Sequence, residues 1–298
     1  MTSVSLPKGV VTASLTPFNR NLSPDNALLL DHCKGIIARG GNGILLLGTT
    51  GEANSLSVPE RMEILDSLLK DGLNPTSLLV GTGTSSLTET ITLTRHAIDC
   101  GVTNILVMPP FYYRKVTDDG LFQYFADLID RVQENVRLYL YHFPAMSGID
   151  ISMGLLERLI GAFPDRIAGM KDSGGDLGHM LKVMRRFPAF RLYSGTERLL
   201  TETLDHGSEG CISATTNYSI QYAAEVYQKY LNNKDLTSSK DRMLACRGTF
   251  EGHVFAPAIK GVLQATTGVD NWQYVRPPLT LPNKNDLQKL IADIRRIT

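Results

Sequence analysis

IAGMKDSGGD, residues 167 to 176, is the stretch on which the reading of this chain turns. Ile167 to Met170 have the apolar character of a buried strand; Lys171 and Asp172 then interrupt the run just before a glycine-rich turn. Lysine is among the residues least often fully buried, and loss of water disfavours its charged form. In such a place it is either a charge corrected by a partner or a chemical reagent.

The same grammar, a short apolar run ending in polar residues, recurs along the chain. The runs are GVVTASLTPF (9–18), GILLLGTTGE (43–52), SLLVGTGT (77–84), NILVMPPF (104–111), RLYLYHFP (137–144), RIAGMKDS (166–173), FRLYSGTE (190–197) and GCISATTN (210–217). Segments of helical period separate them, among them SPDNALLLDHCKGIIARG, VPERMEILDSLLKDG, LTETITLTRHAIDCG and DDGLFQYFADLIDRVQ. Ser23 is the expected N-cap of the first, with Pro24 at its first helical position. Strands that read as near-continuous apolar runs predict a parallel sheet covered on its outside. Eight strand–helix units predict a TIM (β/α)8 barrel with a C-terminal helical extension. Residues 1–218 hold the barrel strands and most of its helices; residues 219–298 hold the last barrel helix and the extension, which is not an independent domain. The rival fold, a doubly wound open sheet, calls for a glycine-rich phosphate turn, and VGTGTSS (80–86) lacks the third glycine of that fingerprint.

Composition narrows the function. Thirty basic and thirty acidic side chains cancel in 298 residues, which leaves no electrostatic footprint for nucleic acid or a membrane surface. Apolar runs such as ILLL (44–47) are too short to span a bilayer. The start, MTSVSLPKGV, has no charged stretch followed by an apolar one, so the expected location is cytoplasmic. Cys33, Cys100, Cys211 and Cys246 form no C-x-x-C pair, and the six histidines no H-x-H or H-E-x-x-H, so no metal site is expected.

In a TIM barrel the active site forms at the carboxyl ends of the strands. Polar residues stand there in several runs: Thr49, Thr50, Gly51 and Glu52; Tyr112 and Tyr113; Tyr141 and His142; Lys171 and Asp172. Singly, each has an ordinary explanation, since tyrosines at strand ends are amphipathic packing residues and GTTG is a turn into a helix. Together they are expected to face one mouth. The segments GTTGEANSL (48–56), PPFYY (109–113), YHFPAMSG (141–148), GMKDSGGD (169–176), SGTE (194–197) and GCISATTN (210–217) resemble, in order, the motifs of the dihydrodipicolinate synthase and N-acetylneuraminate lyase superfamily. These are class I, pyruvate-dependent aldolases on a TIM barrel.

The resemblance implies that Lys171 forms a Schiff base with pyruvate, that Tyr141 is the general acid/base, and that Thr49 and Tyr112 complete its proton relay. Tyr112 would reach the site of a neighbouring subunit, which implies an oligomer, taken as a homotetramer built as a dimer of dimers. The pyruvate carboxylate would be held by Thr50 and by N–H groups of the Thr49–Gly51 turn leading into a helix. Glu52 is expected to brace that turn, and Asp172 and Asp176 to cap a helix or face solvent in preference to the alternative, a part in catalysis. No external cofactor is implied, because the lysine iminium is itself the electron sink.

Where the synthase branch carries an arginine that clamps the carboxylate of aspartate semialdehyde, this chain has Met146. A thioether cannot replace the charge-assisted bonds of a guanidinium, although Arg114 and Lys115 stand in a nearby loop. The chain therefore looks closer to the lyase and 2-keto-3-deoxy sugar-acid aldolase branches. Gly195, Thr196 and Glu197 would contact the aldehyde part, with Ile212 and Ser213 lining the same pocket; Asn217 is either a further lining residue or a helix cap. The expected function is a class I aldolase or lyase that makes or cleaves a 2-oxo acid of the 2-keto-3-deoxy sugar-acid kind. The alternatives are dihydrodipicolinate synthase, a deoxy-keto sugar-acid dehydratase, and a non-enzymatic ligand sensor.

Overall fold

All eight apolar runs become strands in a computed structural model that describes residues 5–297. Among these residues the strands are β1 (Gly9–Ala13), β2 (Gly43–Leu46), β3 (Leu78–Gly81), β4 (Asn104–Val107), β5 (Arg137–His142), β6 (Ile167–Asp172), β7 (Arg191–Ser194) and β8 (Gly210–Ser213). They close into one barrel in chain order, the TIM barrel that the sequence predicts. Every strand residue is buried except Arg137 and Arg191, which open β5 and β7 and are half-buried. That continuous burial is why the strands carry no alternating polar pattern.

The chain divides into two compact units. Among the described residues, one comprises 5–8 and 74–212. Its strands β3 to β8 pair in parallel, with helices Leu87–Asp99, Asp118–Asp130, Met153–Ala162 and Leu177–Arg186 following β3, β4, β5 and β6 in turn. Ser86, Thr117, Ser152 and Asp176 cap these four helices, each side chain accepting from a backbone N–H of the first turn. The register between β5 and β6 slips by one residue: Leu138 faces Ile167, and Tyr139 faces Gly169. Gly169 is required there, because a Cβ would collide with the Arg191 carbonyl oxygen and lie 2.8 Å from the Tyr139 ring. After the slip, Tyr141 faces Lys171 and His142 faces Asp172. A bulge thus decides which functional side chains become neighbours.

The other unit comprises residues 9–73 and 213–297. β1 and β2 pair with Thr12 opposite Ile44, accompanied by helices Asn26–Ala38 and Val58–Lys70. Ser57 and Glu60 form a reciprocal capping box on the second of these. Helix Thr216–Leu231 follows β8, and helices Thr237–Phe250, Phe255–Thr267 and Lys284–Ile297 come after it. The first helix departs from expectation. Pro24 pairs with Phe18 in an antiparallel bridge, so the helix begins at Asn26, and Asp25, not Ser23, caps it by accepting from Leu28 N at 3.0 Å. Among the described residues, no helix is long and apolar enough to cross a membrane.

Candidate active site

Lys171 lies one residue before the end of β6 and is only 4 % exposed. Its Nζ donates to the Tyr141 hydroxyl at 3.3 Å and stands 4.5 Å from the centre of the Tyr141 ring. Tyr141 is itself buried, with Phe143 stacked on its ring at 5.8 Å. Two of the expected catalytic residues are therefore in direct contact. An amine held against a phenol has what carbonyl condensation requires: a nucleophile, and beside it a hydroxyl that gives and takes protons.

Side chains on successive strand residues point to opposite faces. Asp172 and His142 consequently face away from the Lys171–Tyr141 pair, and there they meet His179 of helix Leu177–Arg186. Asp172 is fully buried; its Oδ2 lies 2.7 Å from His179 Nδ1, and its Oδ1 accepts from Gly174 N at 2.9 Å. The His142 and His179 rings stack at 4.6 Å and 18°. The Asp172 hydrogen bond holds the His179 pKa above the ordinary histidine value, whereas burial pushes that of His142 down. The imidazolium form is thus favoured at His179 and disfavoured at His142. Asp172 neither caps a helix nor faces solvent, contrary to expectation, because the first turn of the following helix delivers a histidine to it. Asp176 does cap that helix, accepting from His179 N at 3.1 Å. His142, Asp172 and His179 are also where a metal could be held, since their ligand atoms lie within 4.8 Å of one another.

The loop after β4 carries Tyr112 and Tyr113, 74 % and 71 % exposed, their rings packed edge to face at 5.2 Å. After β5, Met146 sits half-exposed in the short helix Pro144–Ser147. Arg114 lies across this loop: a Cβ on Gly148 would be 2.8 Å from Arg114 Cδ. After β7, Gly195 N donates to the Asp172 carbonyl at 2.6 Å, and a Cβ there would collide with Ser173 Oγ. Thr196 is half-buried and spends its hydroxyl as a cap, accepting from Arg198 N at 3.2 Å; Glu197 is fully buried. Ile212 is fully buried in β8.

In the second unit, Thr49 and Thr50 are half-buried in the turn after β2. Leu47 and Glu52 flank the turn with φ of 57° and 55°, a left-handed conformation that non-glycine residues adopt at a cost. Glu52 N donates to Thr49 O, and Ala53 N to Gly48 O. The turn leads into one 3-10 turn, Ala53–Ser55, rather than the expected helix. Gly51 O accepts from Thr16 Oγ1 at 2.7 Å, and a Cβ on Gly51 would lie 3.0 Å from Ser14 O. Glu52 does brace the turn. Its buried carboxylate takes the ammonium of the equally buried Lys260 on one oxygen and Arg276 N, at 3.1 Å, on the other. Lys260 also donates to Tyr274 O at 3.0 Å. Sequence reasoning missed Lys260, which reads as one more helical lysine until Glu52 is placed opposite it.

Ser213 Oγ lies 3.3 Å from Arg247 Nη1. Asn217 is fully buried and uses its whole amide: Nδ2 donates to Ala13 O and Ala214 O, both at 2.7 Å, while Oδ1 accepts from Leu15 N and from His32. It fastens the backbone after β1, a task neither expected reading included.

Comparison with known proteins places these motifs in one group. The model of the dihydrodipicolinate synthetase family matches residues 6–297. A Chloroflexus aurantiacus protein named "Uncharacterized DapA-like lyase" is 34% identical over 292 residues, which is 98% of this chain and 97% of that one. A 4-hydroxy-tetrahydrodipicolinate synthase of Rhodospirillum centenum is 35% identical over 211 residues, 70% of each chain. Among solved structures, the dihydrodipicolinate synthase of Agrobacterium tumefaciens superposes with a TM-score of 0.88 at 28% identity, covering 97% of this chain and 99% of its own. YagE, an Escherichia coli K12 prophage protein of the dihydrodipicolinic acid synthase family, solved in complex with pyruvate, gives 0.89 at 25% identity, covering 98% and 99%.

Proposed function

Because the chain belongs to the dihydrodipicolinate synthetase family and is a lyase of the pyruvate-dependent aldolase type, we propose that Lys171 joins pyruvate to a hydroxylated aldehyde, or splits the corresponding 2-keto-3-deoxy sugar acid. The observation that carries this reading is the 3.3 Å contact between Lys171 Nζ and the Tyr141 hydroxyl on buried strands. The neutral amine attacks the keto carbon of pyruvate, water leaves, and an iminium remains. Loss of a methyl proton gives an enamine whose carbon attacks the aldehyde carbonyl; Tyr141 protonates the new alkoxide, and water then releases the 2-oxo acid from the lysine. By resemblance, Thr49 and Tyr112 serve Tyr141, and Thr50 with the N–H groups of its turn takes the pyruvate carboxylate. The exposed Tyr112–Tyr113 pair agrees with a homotetramer in which Tyr112 reaches a second subunit.

Met146 supports the choice of a neutral partner, since it stands where the synthase branch clamps a carboxylate. One observation favours the synthase reading instead: Arg114 already crosses the loop at Gly148 and could supply the missing guanidinium. The test is borohydride reduction in the presence of pyruvate, followed by product assay over a panel of aldehydes. A reduced pyruvyl group on Lys171, with neutral polyhydroxylated aldehydes consumed faster than aspartate semialdehyde, is the expected result. Unmodified Lys171 sinks the aldolase reading. Efficient dihydrodipicolinate formation that disappears in Arg114→Ala moves the chain to the synthase branch.

A further inference from the structure

Lys171 and Tyr141 are neighbours because β5 and β6 end in a particular register, which also aligns two residues on the opposite face. There His142 and Asp172, each the residue next to a member of the reacting pair, both lie against His179. Further hydrogen bonds and close contacts surround this arrangement. Ser173 N donates to the His142 carbonyl at 2.8 Å, and Gly195 N to the Asp172 carbonyl at 2.6 Å. His142 Nδ1 lies 3.4 Å from Ile151 N and 3.7 Å from Asp150 Oδ1. His179 is fixed through its own N–H by Asp176. A buried carboxylate must be paired, and without the imidazole Asp172 would keep only the Gly174 N–H on its side chain.

We propose that His179 is a positioning residue for the reaction: through Asp172 and the stacked ring of His142 it holds the ends of β6 and β5 where the Lys171 amine meets the Tyr141 hydroxyl. The inference rests on the Schiff-base reading. It extends that reading to a side chain that touches neither reactant. Misplacement of a reacting group by about 1 Å costs roughly 10²-fold in rate, so an outer support of this kind acts on turnover more than on pyruvate affinity.

The test compares His179→Phe, which keeps a ring against His142 but removes the donor to Asp172, with His179→Asn, whose side-chain amide restores an N–H near the position of Nδ1. Turnover is expressed per Lys171 site trapped by pyruvate and borohydride, so loss of folded protein does not count. The expected result is a kcat per trapped site about 10- to 100-fold lower in His179→Phe, KM for pyruvate within about threefold, and recovery of most of the loss in His179→Asn. Equal turnover per trapped site in the native protein and His179→Phe overturns the proposal, because a merely structural role would lower only the number of sites. If His179→Phe does not fold, Asp172→Asn carries the same comparison, and an unchanged kcat per site there overturns it equally. Failure to trap Lys171 in the native protein is a different outcome: it removes the Schiff-base reading itself, and the positioning role with it.

Discussion

At the scale of single residues, the informative contrast is between Lys171 and Tyr141. A charge inside an apolar run is visible in the sequence because it breaks the pattern that builds the strand. Tyr141 breaks nothing, since a tyrosine at a strand end packs with its ring and keeps its hydroxyl for a partner. Its place at a strand end made it one candidate among several, the resemblance gave it a role, and the β5–β6 register explains why its hydroxyl receives the Lys171 amine. Tyr141→Phe separates its two roles. The ring and its stacking on Phe143 remain, so the fold should hold, whereas kcat should drop roughly 10²- to 10⁴-fold, the usual share of a general acid/base. Steady-state kinetics on the best aldehyde gives the answer. Near-native turnover would return Tyr141 to packing and require another proton donor. His179 lay beyond sequence reasoning for a related reason: a histidine in the first turn of a helix is ordinary until Asp172 and His142 are placed against it.

At the scale of elements, the turn after β2 depends on residues more than 200 positions away. Glu52 holds a left-handed backbone conformation and carries a fully buried charge, two costs that a solvated GTTGE turn would not bear. Lys260 and the backbone N–H of Arg276 offset the second cost, and by fixing the carboxylate they hold the first in place. Arg276 also reaches Leu22 O, Ser55 O and Glu60, whose pKa its hydrogen bond draws down to about 2. Burial pushes Lys260 down to about 8 against the pull of Glu52, which leaves it charged at neutral pH. Lys260→Met should therefore strand a buried carboxylate and cost about 3–5 kcal/mol. Adding Glu52→Gln removes the stranded charge and should return a large part of the loss. Denaturant midpoints of the single and double variants measure both quantities. A single variant within about 1 kcal/mol of native, or a double variant less stable than the single, would show that the pair does not brace the turn. The bracing role of Glu52 was legible, but its partner was not: a lysine in a helix is ordinary, and the pairing exists only once the chain has closed on itself.

For the molecule as a whole, the eight strands were legible because each is buried along its length, and burial on both faces writes itself into sequence as an unbroken apolar run. Boundaries that depend on tertiary contact were less so. The Phe18–Pro24 bridge moves the first helix start to Asn26, and Asn217 at a helix start reads as a cap while it fastens Ala13 and Leu15 across two hundred residues. The same amide accepts from His32 Nε2 at 2.8 Å, and the His32 ring packs edge-on to Trp272 at 4.9 Å. Burial pushes His32 down from 6.5 to about 4, against the Asn217 bond that raises it, with Arg39 adding to the fall. A folded-state pKa below the unfolded one means that, between those values, the unfolded chain binds the proton and the folded chain does not. Stability is then complete above pH 6.5, declines as pH falls through the window, and the loss is full below about pH 4, where both states are protonated. The loss from this one group is on the order of 1–3 kcal/mol. His32→Phe keeps a ring against Trp272 but cannot titrate, so its stability should fall less steeply than that of the native protein between pH 7 and 4. Chemical denaturation at several pH values across that range compares the two slopes. Parallel curves would mean that His32 takes up its proton in the folded state at its ordinary value, and that the Asn217 fastening tolerates the imidazolium.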